Sequence, residues 1–203
     1  MPEPSHATPR PIVVKLGGSL IADPRLPDLL AALAHAGAPL LLVAGGGPLA
    51  DGVRALQPRL SLSEAACHRM AILAMEQTAI AFADGTPGLV LADSAASIAQ
   101  AHAQGRAVLW LPARMALAAR DLPESWELTS DSLAAWLARE VGASRLVLVK
   151  SAPATARSTP ADWASAGLVD PLFPAYAAPL SGAIELVTLD AALTAFTKGS
   201  LAA

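Results

Sequence analysis

The sequence has 203 residues, the length of one ordinary domain with room for a continuous hydrophobic core. Hydrophobic residues make up 54% of the chain and charged residues only 15%, so the composition favours a compact globular protein over a disordered one. The formal net charge of −3 argues against nucleic acid or an anionic membrane as the main partner, because both require a strongly basic surface.

Three further features bear on the cellular compartment. Cys67 is the single cysteine, which rules out an internal disulfide, and its apolar surroundings predict a buried side chain rather than a nucleophile. Residues 1–10 are rich in proline and polar residues and lack the apolar segment of a signal peptide, which predicts a flexible tail. No uncharged apolar run approaches the roughly 20 residues that span a bilayer. We expect a cytoplasmic protein whose single domain covers residues 1–203.

Six short apolar segments predict β-strands. The three strongest candidates are residues 11–16, 39–44 and 145–150. Each is rich in valine and leucine, nearly continuously apolar and too short for a typical helix, as are strands buried on both faces of a parallel sheet. The weaker candidates are residues 88–93, 106–112 and 183–189.

Two segments between these candidates show clear helical periodicity. Residues 25–36 place their leucines on one face and are followed by Gly37, a residue suited to end a helix. Residues 61–83 carry Ser61 and Glu64 at the spacing of a capping box, followed by a long apolar stripe. Both segments predict helices that pack against the sheet.

The C-terminal part of the chain contains a third helix and an irregular segment. Residues 130–140 follow Thr129, which predicts a helix with Thr129 as its N-cap. Residues 151–179 are interrupted by prolines, and only the stretch after Thr159 and Pro160 is helical in pattern. The alternation of strands and helices predicts an α/β fold with a mainly parallel sheet covered on both faces.

Two glycine clusters follow the two strongest N-terminal strands: Gly17 and Gly18 after the first, and Gly45, Gly46 and Gly47 after the second. Glycine lets the backbone approach an anion closely and present several N–H groups to it. Ligands of open α/β sheets bind beyond the carboxyl ends of the strands, where both clusters lie. The clusters therefore favour a phosphate site, although tight turns would also explain them. Neither cluster matches the Walker or dinucleotide-binding pattern.

Two of the few lysines stand at strand ends, Lys15 in the first strand and Lys150 at the end of the fifth. Burying an ammonium group in an apolar strand costs free energy unless an anion pairs with it. Both side chains are expected to point into one crevice. An exposed strand terminus is the alternative for Lys150.

These motifs together resemble the amino acid kinase family. The resemblance lies in VVKLGGSL (13–20), VAGGGPLAD (43–51), ELTSDSLAAWLA (127–138) and RLVLVKS (145–151), in the order that the family shows. It implies a three-layer αβα sandwich, a small-molecule acceptor bound by residues 11–120, and ATP with Mg²⁺ bound by residues 121–203. It also implies a homo-oligomer.

The resemblance assigns roles to individual residues. The catalytic residues would be Lys15, Asp131 and Lys150, and the residues binding phosphate or nucleotide would be Gly17, Gly18, Ser19, Ser130 and Ser151. Asp131 would orient the two lysines rather than act as a strong base. This suits phosphoryl transfer, in which positioning and charge neutralisation supply most of the catalysis.

Three segments resemble the members of the family that convert a furan-methyl phosphate bearing an amine to its diphosphate in methanofuran biosynthesis. They are CHRMAILAMEQ (67–77), ESWELTSDSLAAWLA (124–138) and GLVDPLFP (167–174). The acceptor-binding residues would be Gly45, Gly46, Gly47, Arg69 and Glu76. Arg69 and Glu76 lie two helical turns apart on one face, where they suit an anion and an amine, or simply face solvent.

Four other residues are predicted to lie outside the site. His68 is expected to be a surface or capping side chain and not a metal ligand, since no second histidine or cysteine stands at ligand spacing. Trp110, Trp126 and Trp136 are expected in the core. Two other functions stay open: a nucleotide-binding or storage subunit without turnover, and a kinase for another small acceptor such as uridylate or an amino acid.

Overall fold

The computed structural model describes residues 9–155 and 158–198. Its centre is a six-stranded sheet in which every pair of neighbouring strands is parallel. The strands are β1 Ile12–Leu16, β2 Leu40–Ala44, β3 Leu89–Ala92, β4 Ala107–Trp110, β5 Arg145–Lys150 and β6 Ala183–Thr188. Their spatial order is β3-β4-β2-β1-β5-β6. All six predicted strands are confirmed, and so is the α/β class.

Helices cover both faces of this sheet. They are α1 Leu26–Ala34, α2 Gly47–Leu60, α3 Glu64–Asp84, α4 Ala95–Ala103, α5 Ala113–Ala116, α6 Ser130–Glu140, α7 Pro160–Ser165, α8 Phe173–Ala177 and α9 Leu189–Thr197. Successive side chains of a strand point to opposite faces, and in β1 Val13 belongs to one apolar cluster while Ile12 and Val14 belong to the other. The first cluster includes α6 and α8, and the second includes α1 and α9. The three layers of the predicted sandwich are thus present.

The start of α3 corrects one prediction. The helix is capped by Ser63, whose hydroxyl accepts a hydrogen bond from the Ala66 N–H at 3.2 Å, and not by Ser61. Ser61 instead ends α2 in a left-handed conformation with φ of 52°. The prediction was wrong because α2 continues through Pro58 to Leu60, so Ser61 becomes the C-cap of α2 and the next helix begins three residues later.

The segments near the ends of the chain differ from their predictions in detail. Arg10, predicted as part of the flexible tail, donates to the carbonyl oxygens of Gly142 at 2.7 Å and Ala143 at 3.0 Å, so it is anchored ahead of β5. Residues 1–8 of that tail lie outside the described residues. In the proline-rich segment, Thr159 caps α7 as predicted, whereas α8 was not predicted.

Two predictions about burial are confirmed, and one finding concerns membranes. Cys67 is fully buried, and Trp110 and Trp136 lie in the core. Within the described ranges, no helix is both long enough and apolar enough to cross a bilayer.

Candidate active site

A cavity of about 460 Å³ lies at the carboxyl edge of the sheet. It is bordered by the ends of β1 and β5, by the glycine loop after β2, and by the N-terminal turn of α6. The strand order explains its position, since β1 lies between β2 and β5 and the chain leaves β1 for one neighbour and returns later to the other. Such a switch point opens a crevice in an α/β sheet.

The inner end of the cavity holds an aspartate between two lysines. The Lys15 Nζ lies 2.7 Å from Asp131 Oδ1, and the Lys150 Nζ lies 2.7 Å from Asp131 Oδ2. Lys15 and Asp131 are 3% and 4% exposed, so this is a buried charge group and not a surface ion pair. The structure therefore brings together the three residues that the sequence predicted as catalytic, and excludes an exposed strand terminus for Lys150.

The charge of this group is positive because two ammonium groups share one carboxylate. Burial opposes ionisation of Asp131, but the adjacent lysines outweigh it and hold the pKa of the carboxyl below its usual value. Burial, together with the Lys15 ammonium, lowers the pKa of Lys150 to about 8, against the attraction of Asp131. At pH 7 Lys150 is still mainly protonated, so the cavity presents a net positive charge to a ligand.

The two glycine loops pack directly against each other. A Cβ atom added to Gly18 would lie 2.6 Å from the Gly47 nitrogen, and one added to Gly45 would lie 2.6 Å from the Gly18 nitrogen. Gly47 also has a positive φ of 51°, which side chains rarely adopt. Contact between the loops therefore accounts for the glycines at these positions, independently of any anion.

The glycines divide into anchoring and lining positions. The N–H of Gly17 donates to the Val149 carbonyl at 3.0 Å, and the N–H of Gly45 donates to the Leu16 carbonyl at 2.9 Å. These two residues continue the sheet and do not line the cavity. Gly18, Gly46 and Gly47 line it, beside the N-terminus of α2. Only part of each predicted glycine loop can thus face a ligand.

The predicted serines also separate. Ser19 and Ser130 line the cavity, whereas Ser151 does not. The Ser19 hydroxyl donates to the Ser151 Oγ at 3.3 Å, which links the loop after β1 to the segment after β5.

Asp170 fixes the N-terminus of α6 and was missed as a site residue by sequence reasoning. Its Oδ2 accepts hydrogen bonds from the N–H and hydroxyl of Thr129, at 3.0 and 2.8 Å, and from the N–H of Ser132 at 3.0 Å. The Ser132 hydroxyl donates to the other oxygen. Thr129 occupies the predicted N-cap position, but its hydroxyl donates to Asp170 instead of capping the helix itself. Asp170 thereby holds the turn that carries Asp131.

The outer end of the cavity contains residues that the sequence analysis did not assign to it. Arg54 and Asp51 of α2 line it together with Trp126, and the Arg54 guanidinium lies 4.3 Å from the centre of the Trp126 ring. His68 of α3 also lines the cavity and is buried, and burial lowers the pKa of its imidazole. The predictions of a core position for Trp126 and a surface position for His68 were wrong.

Arg69 and Glu76, the two predicted acceptor ligands on α3, do not line the cavity. Arg69 is exposed, and Glu76 accepts a hydrogen bond from the Ala113 N–H at 2.9 Å. A two-turn spacing aligned them correctly with each other, but it could not show which face of α3 meets the cavity. Cys67, His68 and Ile72 mark the buried side of this helix.

No group of three or more histidine, cysteine, aspartate or glutamate side chains is placed to hold a metal ion among residues 9–155 and 158–198. Asp131 lines the cavity, and each of its carboxylate oxygens lies 2.7 Å from a lysine Nζ. A divalent ion entering the site would therefore need most of its ligands from a bound phosphate group or from water.

The architecture defines the class of the protein: a three-layer α/β protein with a cavity at the carboxyl edge of a parallel sheet. Residues 10–160 match the model of the amino acid kinase family, and because this match spans more than half of the sequence, the chain belongs to that family.

A curated relative and three solved structures agree with this assignment. The (5-(aminomethyl)furan-3-yl)methyl phosphate kinase of Methanocaldococcus jannaschii is 26% identical over 139 residues, a match that covers 67% of this chain and 63% of that protein. The match thus spans less than two thirds of the relative's length. It confirms the resemblance of the sequence to kinases of this name.

Three similar solved structures are named uridylate kinase or UMP kinase. The uridylate kinase of Archaeoglobus fulgidus superposes with a TM-score of 0.62 at 18% identity, covering 91% of this chain and 94% of that one. The UMP kinase of Ureaplasma parvum gives a TM-score of 0.67 at 15% identity, with 90% and 91% covered. That of Bacillus anthracis gives 0.68 at 12% identity, with 95% and 93% covered. These likenesses confirm the fold.

Proposed function

We propose that the protein is an ATP-dependent kinase that transfers the γ-phosphoryl group to the phosphate of a small phosphate ester. The observation that carries the proposal is the buried Lys15–Asp131–Lys150 group at the end of the cavity. Two ammonium groups held by one carboxylate place a net positive charge where a phosphoryl group can enter between the two glycine loops and α6. Membership of the amino acid kinase family and the names of the relatives support the same activity.

The chemistry needs no strong base. A phosphate ester is already ionised at neutral pH, so its oxygen can attack the γ-phosphorus without first losing a proton. Lys15 and Lys150 neutralise charge on the transferring group, and preorganised charges of this kind are the largest source of rate in many enzymes. Asp131 is committed to both lysines. Its role is to hold their ammonium groups in place.

The cavity also suggests how the two substrates are arranged. The acceptor would lie against α2 and α3, in the N-terminal half, and the nucleotide would lie beside the N-terminus of α6 and the end of β5. The N–H groups and the dipole at the N-terminus of α2 favour phosphate there. At the N-terminus of α6, Asp170 already accepts from the N–H groups of Thr129 and Ser132, so attraction for a phosphate comes mainly from Lys15 and Lys150. Mg²⁺ would arrive with ATP and bind mainly through its phosphates, as is usual for this ion.

The acceptor that the comparisons favour is (5-(aminomethyl)furan-3-yl)methyl phosphate, with its diphosphate as the product and methanofuran biosynthesis as the setting. The support is the name of the relative from Methanocaldococcus jannaschii and the three segments resembling its group. The relatives among solved structures carry the name of uridylate kinases instead. UMP is therefore the first competing acceptor to compare.

The test is a coupled assay of ADP formation at fixed Mg-ATP with five acceptors: the furan phosphate, UMP, acetylglutamate, aspartate and isopentenyl phosphate. We expect the furan phosphate to give the highest kcat/KM and a diphosphate product visible by mass spectrometry. If UMP or an amino acid is the best substrate, the named acceptor is wrong and the kinase proposal stands. ATP binding without turnover of any acceptor would favour a storage or binding subunit.

Lys15→Met is the matched inactive variant, because methionine keeps an unbranched apolar side chain inside β1 while removing the charge. Its turnover should fall by about a thousandfold, the scale expected when a transition-state charge stabiliser is lost. Circular dichroism checks that the variant is folded. Turnover close to that of the parent protein in a folded Lys15→Met variant would refute the catalytic role.

A further inference from the structure

The proposed reaction brings two phosphate groups together in one cavity. The Lys15–Asp131–Lys150 group can neutralise only part of their negative charge. Among the described residues that line the cavity, the side chains with a full positive charge are Lys15, Lys150 and Arg54. One of the two lysine charges is offset by Asp131. The γ-phosphoryl group and the acceptor phosphate together carry more negative charge than the remainder can balance. Arg54 is therefore the cation available for the second anion.

Two side chains contact the Arg54 guanidinium. Its guanidinium lies over the Trp126 ring at 4.3 Å, a cation–π contact, and its Nη1 donates to Asp51 Oδ1 at 3.0 Å. Trp126 is itself held, because its indole N–H donates to Gln57 Oε1 at 2.7 Å. The Gln57 amide donates in turn to Glu64 Oε1 at 2.8 Å, which ties the arrangement to the start of α3.

The guanidinium carbon of Arg54 lies 4.3 Å from the centre of the Trp126 ring, and its Nη1 is the nitrogen bonded to Asp51. A guanidinium presents its donors in one plane, which matches two oxygens of a phosphate group. Side chains on a helix lean toward its N-terminus, so Arg54 extends over the turn containing Asp51 and toward the glycine loop. The Asp51 and Arg54 side chains are 73% and 48% exposed, and ion pairs this exposed are weak. A phosphate can displace Asp51 at little cost.

We propose that Arg54, held on Trp126, binds the phosphate group of the acceptor and makes the site selective for phosphate monoesters over carboxylate acceptors. The proposal rests on the proposed kinase function and names the residue that selects the acceptor class. It replaces Arg69 in that role, since Arg69 lies outside the cavity.

The kinetic test uses Arg54→Ala and Arg54→Lys, with Arg59→Ala as the matched control because Arg59 is an exposed arginine of the same helix that does not line the cavity. Arg54→Ala should lower kcat/KM for the phosphate ester by roughly 10- to 100-fold, the range for losing a hydrogen-bonded charge partner. Arg54→Lys should lie between, because lysine keeps the charge but loses the planar pair of donors. KM for ATP should stay within about twofold of the parent value in all three variants.

The selectivity readout is the ratio of kcat/KM for the phosphate ester to that for its carboxylate analogue. This ratio should fall sharply in Arg54→Ala and stay close to the parent value in Arg59→Ala. Phosphate-ester kinetics that are equal in Arg54→Ala and Arg59→Ala would overturn the inference and leave the kinase proposal intact.

A binding measurement decides the inference even if no acceptor is turned over. The phosphate ester is titrated into ATP-free protein while tryptophan fluorescence is recorded, since an anion that engages Arg54 changes the environment of the Trp126 ring. We expect a saturable change in the parent protein and in Arg59→Ala, and its loss in Arg54→Ala and Trp126→Phe. Phosphate binding by isothermal titration that survives unchanged in Arg54→Ala would overturn the role of Arg54, whatever the outcome of the assay.

Discussion

A single buried carboxylate, that of Asp131, holds two lysine ammonium groups together. Without Asp131 the ammonium groups of Lys15 and Lys150 would face each other, although the Lys15 side chain is only 4% and the Lys150 side chain only 16% exposed. In the proposed reaction, burial strengthens the attraction between the lysines and a phosphoryl group. Burial also makes the protonation of Lys150 sensitive to pH, because an ammonium group loses favourable hydration there.

The pKa of Lys150 predicts an alkaline limb in the activity of the free enzyme. A lysine whose pKa is lowered to about 8 is charged below that pH and loses its proton as the pH rises through it. In the proposed reaction the charged form of Lys150 binds phosphate, so kcat/KM should fall above about pH 8. Bound nucleotide phosphates favour the ammonium form, so the corresponding limb of kcat should lie at higher pH.

Lys150→Arg provides the check on that assignment, because a guanidinium stays protonated throughout the accessible pH range. The variant should be slower, and its kcat/KM profile should lack the limb near pH 8. A limb of unchanged position in Lys150→Arg would assign the titration to another group.

The contact between the two glycine loops is the element-scale feature that shapes the cavity. Gly18→Ala would place a methyl group 2.6 Å from the Gly47 nitrogen, and the obstacle is backbone that cannot rotate away. We expect a loss of roughly 1–3 kcal/mol of stability in urea unfolding, as for other overpacked sites. KM should rise for both substrates, because the loop lies between their proposed positions.

Gly52→Ala on α2 is the control for this substitution. A Cβ atom at Gly52 meets nothing within 4 Å, and alanine is favoured over glycine inside a helix by about 1 kcal/mol. The control should therefore be as stable as the parent or more so. Equal stability of Gly18→Ala and Gly52→Ala would contradict the close loop contact.

Asp170 holds the N-terminus of α6 by hydrogen bonds to Thr129 and Ser132, which lie 41 and 38 positions earlier in the sequence. Asp170→Asn replaces one acceptor oxygen by a donor facing Thr129 and Ser132, whose groups already donate. We predict a loss of about 3 kcal/mol of stability, since the lost bonds are buried and the acceptor is charged. Asp131 lies in the first turn of the same helix and pairs with Lys150, so the alkaline limb of kcat/KM should also move. A merely structural contact would leave that limb in place.

The strands could be predicted from the sequence more directly than the ends of the helices. The strands β1, β2 and β5 could be predicted because burial on both faces leaves a continuous apolar run in the sequence. The strands β3 and β6 are only partly buried, and their segments were among the weaker candidates. The exact start of α3 could not be predicted, because Ser61 and Ser63 are both adequate caps and the choice depends on where α2 ends. The role of Asp170 was hidden because its partners are distant in the chain.

Over the whole molecule, the meeting of Lys15, Asp131 and Lys150 could be predicted, and the side chains that line the rest of the cavity could not. Lys15, Asp131 and Lys150 stand at strand ends and a helix start, and parallel strands bring such positions to one edge. Arg54, Trp126 and His68 line the cavity through the relative rotation of α2, α3 and a loop. Packing decides which face of α3 meets the cavity. The seven-residue spacing of Arg69 and Glu76 shows only that they share a face, and not which face it is.

The same topology predicts that the two substrates protect different halves of the molecule. In the proposed arrangement, ATP lies against the first turn of α6 and the end of β5, and the phosphate ester lies against α2. Hydrogen exchange followed by mass spectrometry should show ATP protecting residues 129–133 and 149–152, and the ester protecting residues 46–57. Exchange through opening of the free site should slow by about tenfold at about ten times each Kd, because the ligand stabilises the closed state by mass action. Protection of α2 by ATP and of α6 by the ester would reverse the halves, and identical protection by both would show that the sheet edge is not divided between them.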